Sequence, residues 1–340
     1  MNNLPEEIIY HILNYLEDTI DVINFSLSNK FYRNLILRNK DNFNCICKLD
    51  INHIDKINII GKVKINLYDL DIYKIKNLKN VVELNLTSCE RLNDVSILSN
   101  IKKLNLSYCN ITDVSMLRNC EELVLTGCDK ISDVSSLGKV KKLNLSQCYI
   151  TDVSMLGNCE ELKLIGCDGI TDVGMLGNVR ELDLSGCDGI TDVSMLGKVK
   201  KLHLGYCENI TDVRMLGNCE ELYLIRCNRI TDVSMLGKVK KLDLSFCENI
   251  SDVSMLGNCE ELILKSCYKI TDVSMLGKVK KLDLSYFKNI SDVSMLGNCE
   301  ELDLSGCVNI KDVSALRNVR KLNLTFCINI SDVSMLGNVK

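Results

Sequence analysis

Residues 242–261 read Leu-Asp-Leu-Ser-Phe-Cys-Glu-Asn-Ile-Ser-Asp-Val-Ser-Met-Leu-Gly-Asn-Cys-Glu-Glu, and thirteen versions of this stretch follow one another along the chain. They begin at Leu84, Leu104, Leu123, Leu143, Leu162, Leu182, Leu202, Leu222, Leu242, Leu262, Leu282, Leu302 and Leu322. The spacing is 20 residues, with two of 19. The second Leu (Leu86 to Leu324) and the Asp of the Asp-Val pair (Asp94 to Asp332) are present in every copy. The Leu-x-Leu alternation predicts a short strand with one face buried. The Cys three places later marks where the chain leaves the strand. The Ile, Val and Leu of the Ile-Ser-Asp-Val-Ser-Met-Leu stretch point inward again on the far side. Twenty residues leave no room for a long helix there, so a 3-10 or irregular turn is expected, with the Asp as its cap. Gly157, Gly197 and Gly257 suit the bend back to the next strand.

One such coil cannot bury its apolar side alone, so consecutive coils must stack around a continuous core. The expected fold is an α/β repeat solenoid with a parallel sheet on its inner face and short convex turns. The pattern resembles the leucine-rich repeat, in its cysteine-containing variant, whose motif runs on into Cys-x-x-Ile-Thr-Asp. The resemblance implies a horseshoe covering three quarters of the chain. The coils here are shorter than is usual in that variant, which replaces the convex helix by a tight turn.

The chain has nineteen cysteines. One ladder runs Cys89, Cys109, Cys128, Cys148 and onward to Cys327, with Phe287 in place of one thiol. A second, Cys120, Cys159, Cys219, Cys259 and Cys299, alternates with Val. Exchange with Phe or Val predicts small apolar core residues, not disulfides or metal ligands, and no Cys-x-x-Cys pair is present. The two residues before the strand Leu alternate in sign from copy to copy, as in Glu220-Glu221, Lys240-Lys241, Glu260-Glu261 and Lys280-Lys281, with Arg180-Glu181 a hybrid. Neighbouring coils in a parallel stack sit about 4.8 Å apart. Opposite charges would then face each other, each exposed pair contributing ~0–1 kcal/mol and fixing register more than stability.

Residues 1–40 read differently. Pro5, the single proline, and Glu6 and Glu7 suit a first helical turn. Ile8, Ile9, Ile12, Leu13 and Leu16 fall on one helical face, and Ile20, Ile23 and Leu27 on a second. Leu4-Pro5-x-Glu7, Ile12-Leu13-x-Tyr15-Leu16 and Ser26-Leu27-Ser28-Asn29-Lys30 resemble an F-box. With the repeats, the chain resembles the F-box/leucine-rich-repeat proteins of amoeba-infecting giant viruses. That resemblance implies a substrate-recognition subunit of a cullin–RING ubiquitin ligase. Leu4, Pro5, Ile8, Ile12, Leu16 and Leu27 would hold the Skp-type adaptor, and the concave face a protein substrate. The alternative is a protein-interaction scaffold in which residues 1–40 only cap the first coil. Residues 41–83 form a degenerate join, with eroded coils expected at 63–67 and around Leu49-Asp50-Ile51. The repeats proper span 84–340. The end at Val339-Lys340, where another strand would start, predicts fraying.

Because the framework barely changes between copies, the positions that do change are informative. On and beside the strands they are His203, Tyr206, Tyr223, Arg226, Phe246, Ile263, Lys265, Tyr286 and Phe326. Tyr206, Arg226, Phe246 and Tyr286 share one column, and aromatic and Arg side chains dominate binding hot spots. Asp183, Asp243, Asp283 and Asp303 lie beside them and could add polar specificity. Free drift of exposed sites would also produce such variety.

Nothing predicts catalysis. The three histidines, His11, His53 and His203, lie far apart and pair with no nucleophile. No phosphate-binding glycine loop, cofactor or metal site is read from the chain. The net charge of −4 gives no field for nucleic acid. The start MNNLPEEIIY has no basic leader and no apolar run approaches a membrane span, so an intracellular, cytoplasmic or nuclear, protein is expected.

Overall fold

The computed structural model describes residues 81–337, together with Cys45–Cys47, Val63–Asn66 and Leu78. The F-box-like residues 1–40, including Leu4, Pro5, Ile8, Ile12, Leu16 and Leu27, lie outside the described residues, as do Leu49-Asp50-Ile51 and the last three residues. The chain divides into two compact units, residues 1–148 and 149–340.

In the first unit six strands pair in parallel, in chain order: β1 (Cys45–Cys47), β2 (Val63–Asn66), β3 (Val81–Asn85), β4 (Lys103–Asn105), β5 (Glu122–Val124) and β6 (Lys142–Asn144). The eroded coil expected at 63–67 thus supplies a strand. The second unit repeats the arrangement with β7 (Glu161–Lys163), β8 (Glu181–Asp183), β9 (Lys201–His203), β10 (Glu221–Tyr223), β11 (Lys241–Asp243), β12 (Glu261–Ile263), β13 (Lys281–Asp283), β14 (Glu301–Asp303) and β15 (Lys321–Asn323). From β3 onward the paired strands of each unit place Leu opposite Leu, as in Leu84 against Leu104 and Leu222 against Leu202 and Leu242.

The core is the inward row of each coil. In one coil Leu222, Leu224, Cys227, Ile230, Val233, Leu236 and Val239 are each at most 2% exposed. Full burial of such a side chain stabilises by about 1.5–3 kcal/mol. In the last described coil the row opens: Val333 is 57% exposed where Val313 is 1%.

The far side carries a 3-10 turn in every coil from Ser96–Leu98 to Ser334–Leu336, as the short repeat requires. Asp is the reason it starts where it does. In all thirteen copies its Oδ1 accepts the backbone N–H two residues on, at 2.8–3.0 Å. The glycine after the turn has a different role from the one expected. Gly237 sits at φ −62°, an ordinary right-handed value, so no special bend is involved. A Cβ there would lie 2.3 Å from the Met255 carbonyl oxygen of the next coil, so the glycine permits close approach of coils. Between these features the methionines face outward. Those from Met155 to Met295 are 58–64% exposed.

The thiols are buried and free of disulfides among the described residues. They are also more than apolar filler. Sγ of Cys187, Cys207, Cys227 and Cys247 donates to the carbonyl oxygen of the second Leu in the preceding coil, at 3.0–3.1 Å. The thiol is therefore a second donor to a carbonyl that already accepts the N–H of its own turn, where the chain leaves the strand. Phe287 fills the same place by volume alone, fully buried. Burial pushes the thiols up, Cys207 to about 11 and Cys187 to about 12, so they remain protonated. Asparagine also recurs for a structural reason: Nδ2 of Asn209, Asn249 and Asn289 donates to a carbonyl of the preceding coil at 2.7–2.8 Å.

The charge ladder forms as its alternation predicts. Glu221 lies between Lys201 at 3.7 Å and Lys241 at 3.3 Å, and Glu220 between Lys200 at 3.3 Å and Lys240 at 3.8 Å. Alternation fails once, where Glu161 stands opposite Glu181, and Arg180 compensates by reaching both, at 3.8 and 2.8 Å.

Candidate functional site

Each strand ends in a tight turn. At Leu224-Ile225-Arg226-Cys227 the Cys227 N–H bonds to the Leu224 carbonyl at 3.1 Å, and Arg226 has φ 59°. A positive φ at the third residue of such a turn is the mark of type II, which favours glycine there. The residue before the cysteine, or before Phe287, adopts this conformation in all thirteen copies, with φ from 59° to 73°. Four copies use glycine: Gly127, Gly166, Gly186 and Gly306. Yet Tyr206, Arg226, Phe246, Tyr286 and Phe326 occupy the same place. A left-handed backbone costs a residue with a Cβ about 1–2 kcal/mol. Bulky side chains held there against that cost are a pointer to function.

These side chains touch along the stack. The Arg226 guanidinium carbon lies 5.6 Å from the Tyr206 ring centre and 5.2 Å from that of Phe246. Lys265 Nζ lies 5.9 Å from the Phe246 ring centre and 5.3 Å from that of Tyr286. The order along the stack is aromatic, cation, aromatic, cation, aromatic. Each such contact is worth about 0.5–1 kcal/mol at an exposed site. Tyr206 is 50% exposed and Tyr286 45%. The Tyr286 ring covers Gly306, where an added Cβ would fall 2.8 Å from it. Among the described residues neither Arg226 nor Lys265 forms an ion pair.

A second column runs along the strands. His203 and Tyr223 stack face to face, with ring centres 4.1 Å apart and planes 4° from parallel. Tyr223 donates its hydroxyl to Glu221 Oε2 at 3.1 Å. Burial, with the Glu221 carboxylate beside it, raises the phenol to about 12. Burial also pulls His203 below the ordinary imidazole range, which keeps the stacked ring neutral. Ile263 is half-buried, between Asp243 and Asp283 in register. It opens onto a groove of 590 Å³ lined by Asp283, Asp303, Asn323 and the Glu and Lys residues of β12 to β15. Phe326 stands in the last described coil, 69% exposed.

Asp183, Asp243, Asp283 and Asp303 are committed to their own coils. Each accepts the backbone N–H of the Ser two places on at 2.8–3.0 Å, and Asp183 and Asp243 accept its hydroxyl as well. Asn85, Asn105, Asn144 and Asn323 form the same clip. Where the clip is absent, its positions carry other chemistry: Lys163 with Ile165, His203 with Gly205, Tyr223 with Ile225, Ile263 with Lys265, and Val124 beside a retained Thr126. In the first four of these coils both partners have changed together. The signal was present in the sequence as paired variation two residues apart. Among the described residues no group of His, Cys, Asp and Glu is arranged to hold a metal ion.

The Leucine Rich repeat family pattern matches residues 98–117 and 178–196. The functional domain of InlJ from Listeria monocytogenes, described as including a cysteine ladder, is similar in structure at 22% identity and a TM-score of 0.58, over 82% of this chain and 67% of that one. A leucine-rich-repeat protein of Leptospira interrogans matches at 15% identity and a TM-score of 0.57, over 86% and 92%. The mouse RP105/MD-1 complex matches at 16% identity and a TM-score of 0.56, over 77% and 55%. No curated protein matches at the sequence level. No described helix is long and apolar enough to cross a membrane. The coils, their parallel strands and their 3-10 turns are those of a leucine-rich-repeat fold.

Proposed function

We propose that the chain is a protein-interaction scaffold whose partner docks along Tyr206, Arg226, Phe246, Lys265 and Tyr286. The observation that carries this reading is backbone strain. Aromatic and guanidinium side chains occupy left-handed positions that four other coils give to glycine. Drift under selection for stability alone would favour glycine or asparagine there. The His203–Tyr223 stack, Ile263 and Phe326 extend the same surface. The RP105/MD-1 structure is a complex on this fold, an analogy at the level of architecture. The test is affinity capture of partners by the full chain beside a Tyr206→Gly, Arg226→Gly, Phe246→Gly, Tyr286→Gly variant. Glycine relieves the backbone while removing the side chains. Loss of the same partners from the variant supports the reading, and unchanged capture removes this ladder from consideration.

A finer reading rests on residues 4–38. Leu4-Pro5-x-Glu7, Ile12, Leu16 and Leu27 resemble an F-box in sequence, and their arrangement with the repeats resembles that of giant-virus F-box proteins. On this reading the captured protein is presented to a cullin–RING ubiquitin ligase inside the host cell. Residues 1–40 form the adaptor module, 41–83 the join and 84–340 the repeats. Binding of a purified Skp-type adaptor by the full chain, lost in a Leu4→Ala, Pro5→Ala, Ile8→Ala variant, supports this role. No binding by either, with the repeats folded, leaves a scaffold without a link to ubiquitin.

A further inference from the structure

In the second unit the aromatic residues of the left-handed column recur every second coil: Tyr206, Phe246, Tyr286 and Phe326. The cations belong to coils between them, Arg226 in the column itself and Lys265 one residue before the left-handed Ser266. Adjacent parallel strands are separated by about 4.8 Å, so the aromatic series repeats at about 9.6 Å. A polyproline II helix rises about 3.1 Å per residue and turns once in three residues, so side chains three apart share one face at about 9.3 Å. An extended β-strand peptide has no such match, because residues three apart point to opposite sides. We propose, on the reading that this ladder is the binding face, that its ligand is a proline-rich, acidic segment in the polyproline II conformation, with one carboxylate per turn.

The chemistry agrees with the spacing. Tyr206, Tyr286 and Phe326 are exposed and Phe246 is half-buried between its two cations; a row of aromatic rings is the surface against which proline rings pack, and a preformed polyproline II helix loses little conformational entropy on binding. Arg226 and Lys265 are held over ring faces and have no carboxylate partner among the described residues. An anionic group arriving once per turn would meet each of them in succession. The Asp residues of the neighbouring column do not compete, because their carboxylates are clipped to Ser245 and Ser285 in the same coils.

The experiment is a fluorescence-anisotropy titration of the full chain with three fifteen-residue peptides: repeats of Pro-Pro-Glu, of Pro-Pro-Lys and of Gly-Ser-Glu. The expected result is binding of Pro-Pro-Glu at least tenfold tighter than either of the others. The same peptide should bind at least tenfold more weakly to the four-glycine variant. Equal binding of Gly-Ser-Glu overturns the polyproline geometry, and equal binding of Pro-Pro-Lys overturns the acidic requirement. If no peptide binds while partner capture still depends on the ladder, the ligand class is wrong and the interaction reading stands. If capture is also independent of the ladder, both fall.

Discussion

Replacing Phe246 by glycine and, separately, by alanine isolates the backbone contribution at the ladder. Both changes remove the ring and its contacts with Arg226 and Lys265. Those losses therefore cancel in the comparison. What remains is the conformation, φ 62° at this residue. Alanine keeps a Cβ and bears the left-handed cost of about 1–2 kcal/mol. Glycine escapes it but has a more disordered unfolded state, worth about 0.4–1 kcal/mol against it. The glycine variant should be the more stable by about 0.5–1 kcal/mol. The control is Ser254, in the 3-10 turn of the same coil, where alanine should exceed glycine by a similar amount. Urea unfolding followed by circular dichroism gives both differences. Comparing midpoints at equal slope avoids assuming that a stack of coils melts all at once. Alanine at least as stable as glycine at position 246 would refute the strain argument and, with it, the main reason for reading the column as functional.

Other outcomes follow from the same structure. Reversing Glu220 and Glu221 to Lys should lower the melting temperature more at low salt than at high salt, since both face lysines on each side; an equal loss at both would contradict the electrostatic account. Cys227→Val should cost about 0.5–1.5 kcal/mol by denaturant titration, because the Leu204 carbonyl loses its S–H donor. Cys219→Val should be nearly neutral, as valine already alternates with cysteine in that column. Among the turn-capping carboxylates, Asp232 is lowered by hydrogen bonds from Ser234, and Asp212, to about 2, by those from Arg214. Depressed folded values mean that this stabilisation is complete above the unfolded value and is lost as pH falls through the folded one. Acid titration should therefore show melting temperature falling below about pH 4, with Asp232→Asn less destabilising at pH 7 than Asp232→Ala.

Much of the coil was legible because its period is short and its core positions hardly vary. Leu222 and Leu224 announce the strand, Asp232 the cap, and twenty residues leave space only for a 3-10 turn. The alternating Glu and Lys pairs announced their own partners, since in-register parallel strands bring equivalent positions together. The turn after the strand was hidden. Its left-handed residue is Tyr206, Arg226 or Phe246 where local preference calls for glycine, and only Gly127, Gly166, Gly186 and Gly306 gave it away. The cysteine ladder suggested packing because thiols and Val exchange in the second column. In both columns, however, Sγ reaches a backbone oxygen of the preceding coil, as Cys227 does at Leu204 and Cys120 at Ile101, a contact that spacing cannot reveal. Asp243 looked like a free carboxylate beside the varied residues. Its place two residues before Ser245 was the clue that it closes its own strand end.

Partner capture by the full chain, with and without the Tyr206→Gly, Arg226→Gly, Phe246→Gly, Tyr286→Gly changes, tests the central claim most directly. The account predicts that the variant folds at least as stably as an alanine counterpart and loses the partners that the natural chain holds. Undiminished capture by a folded variant would contradict it.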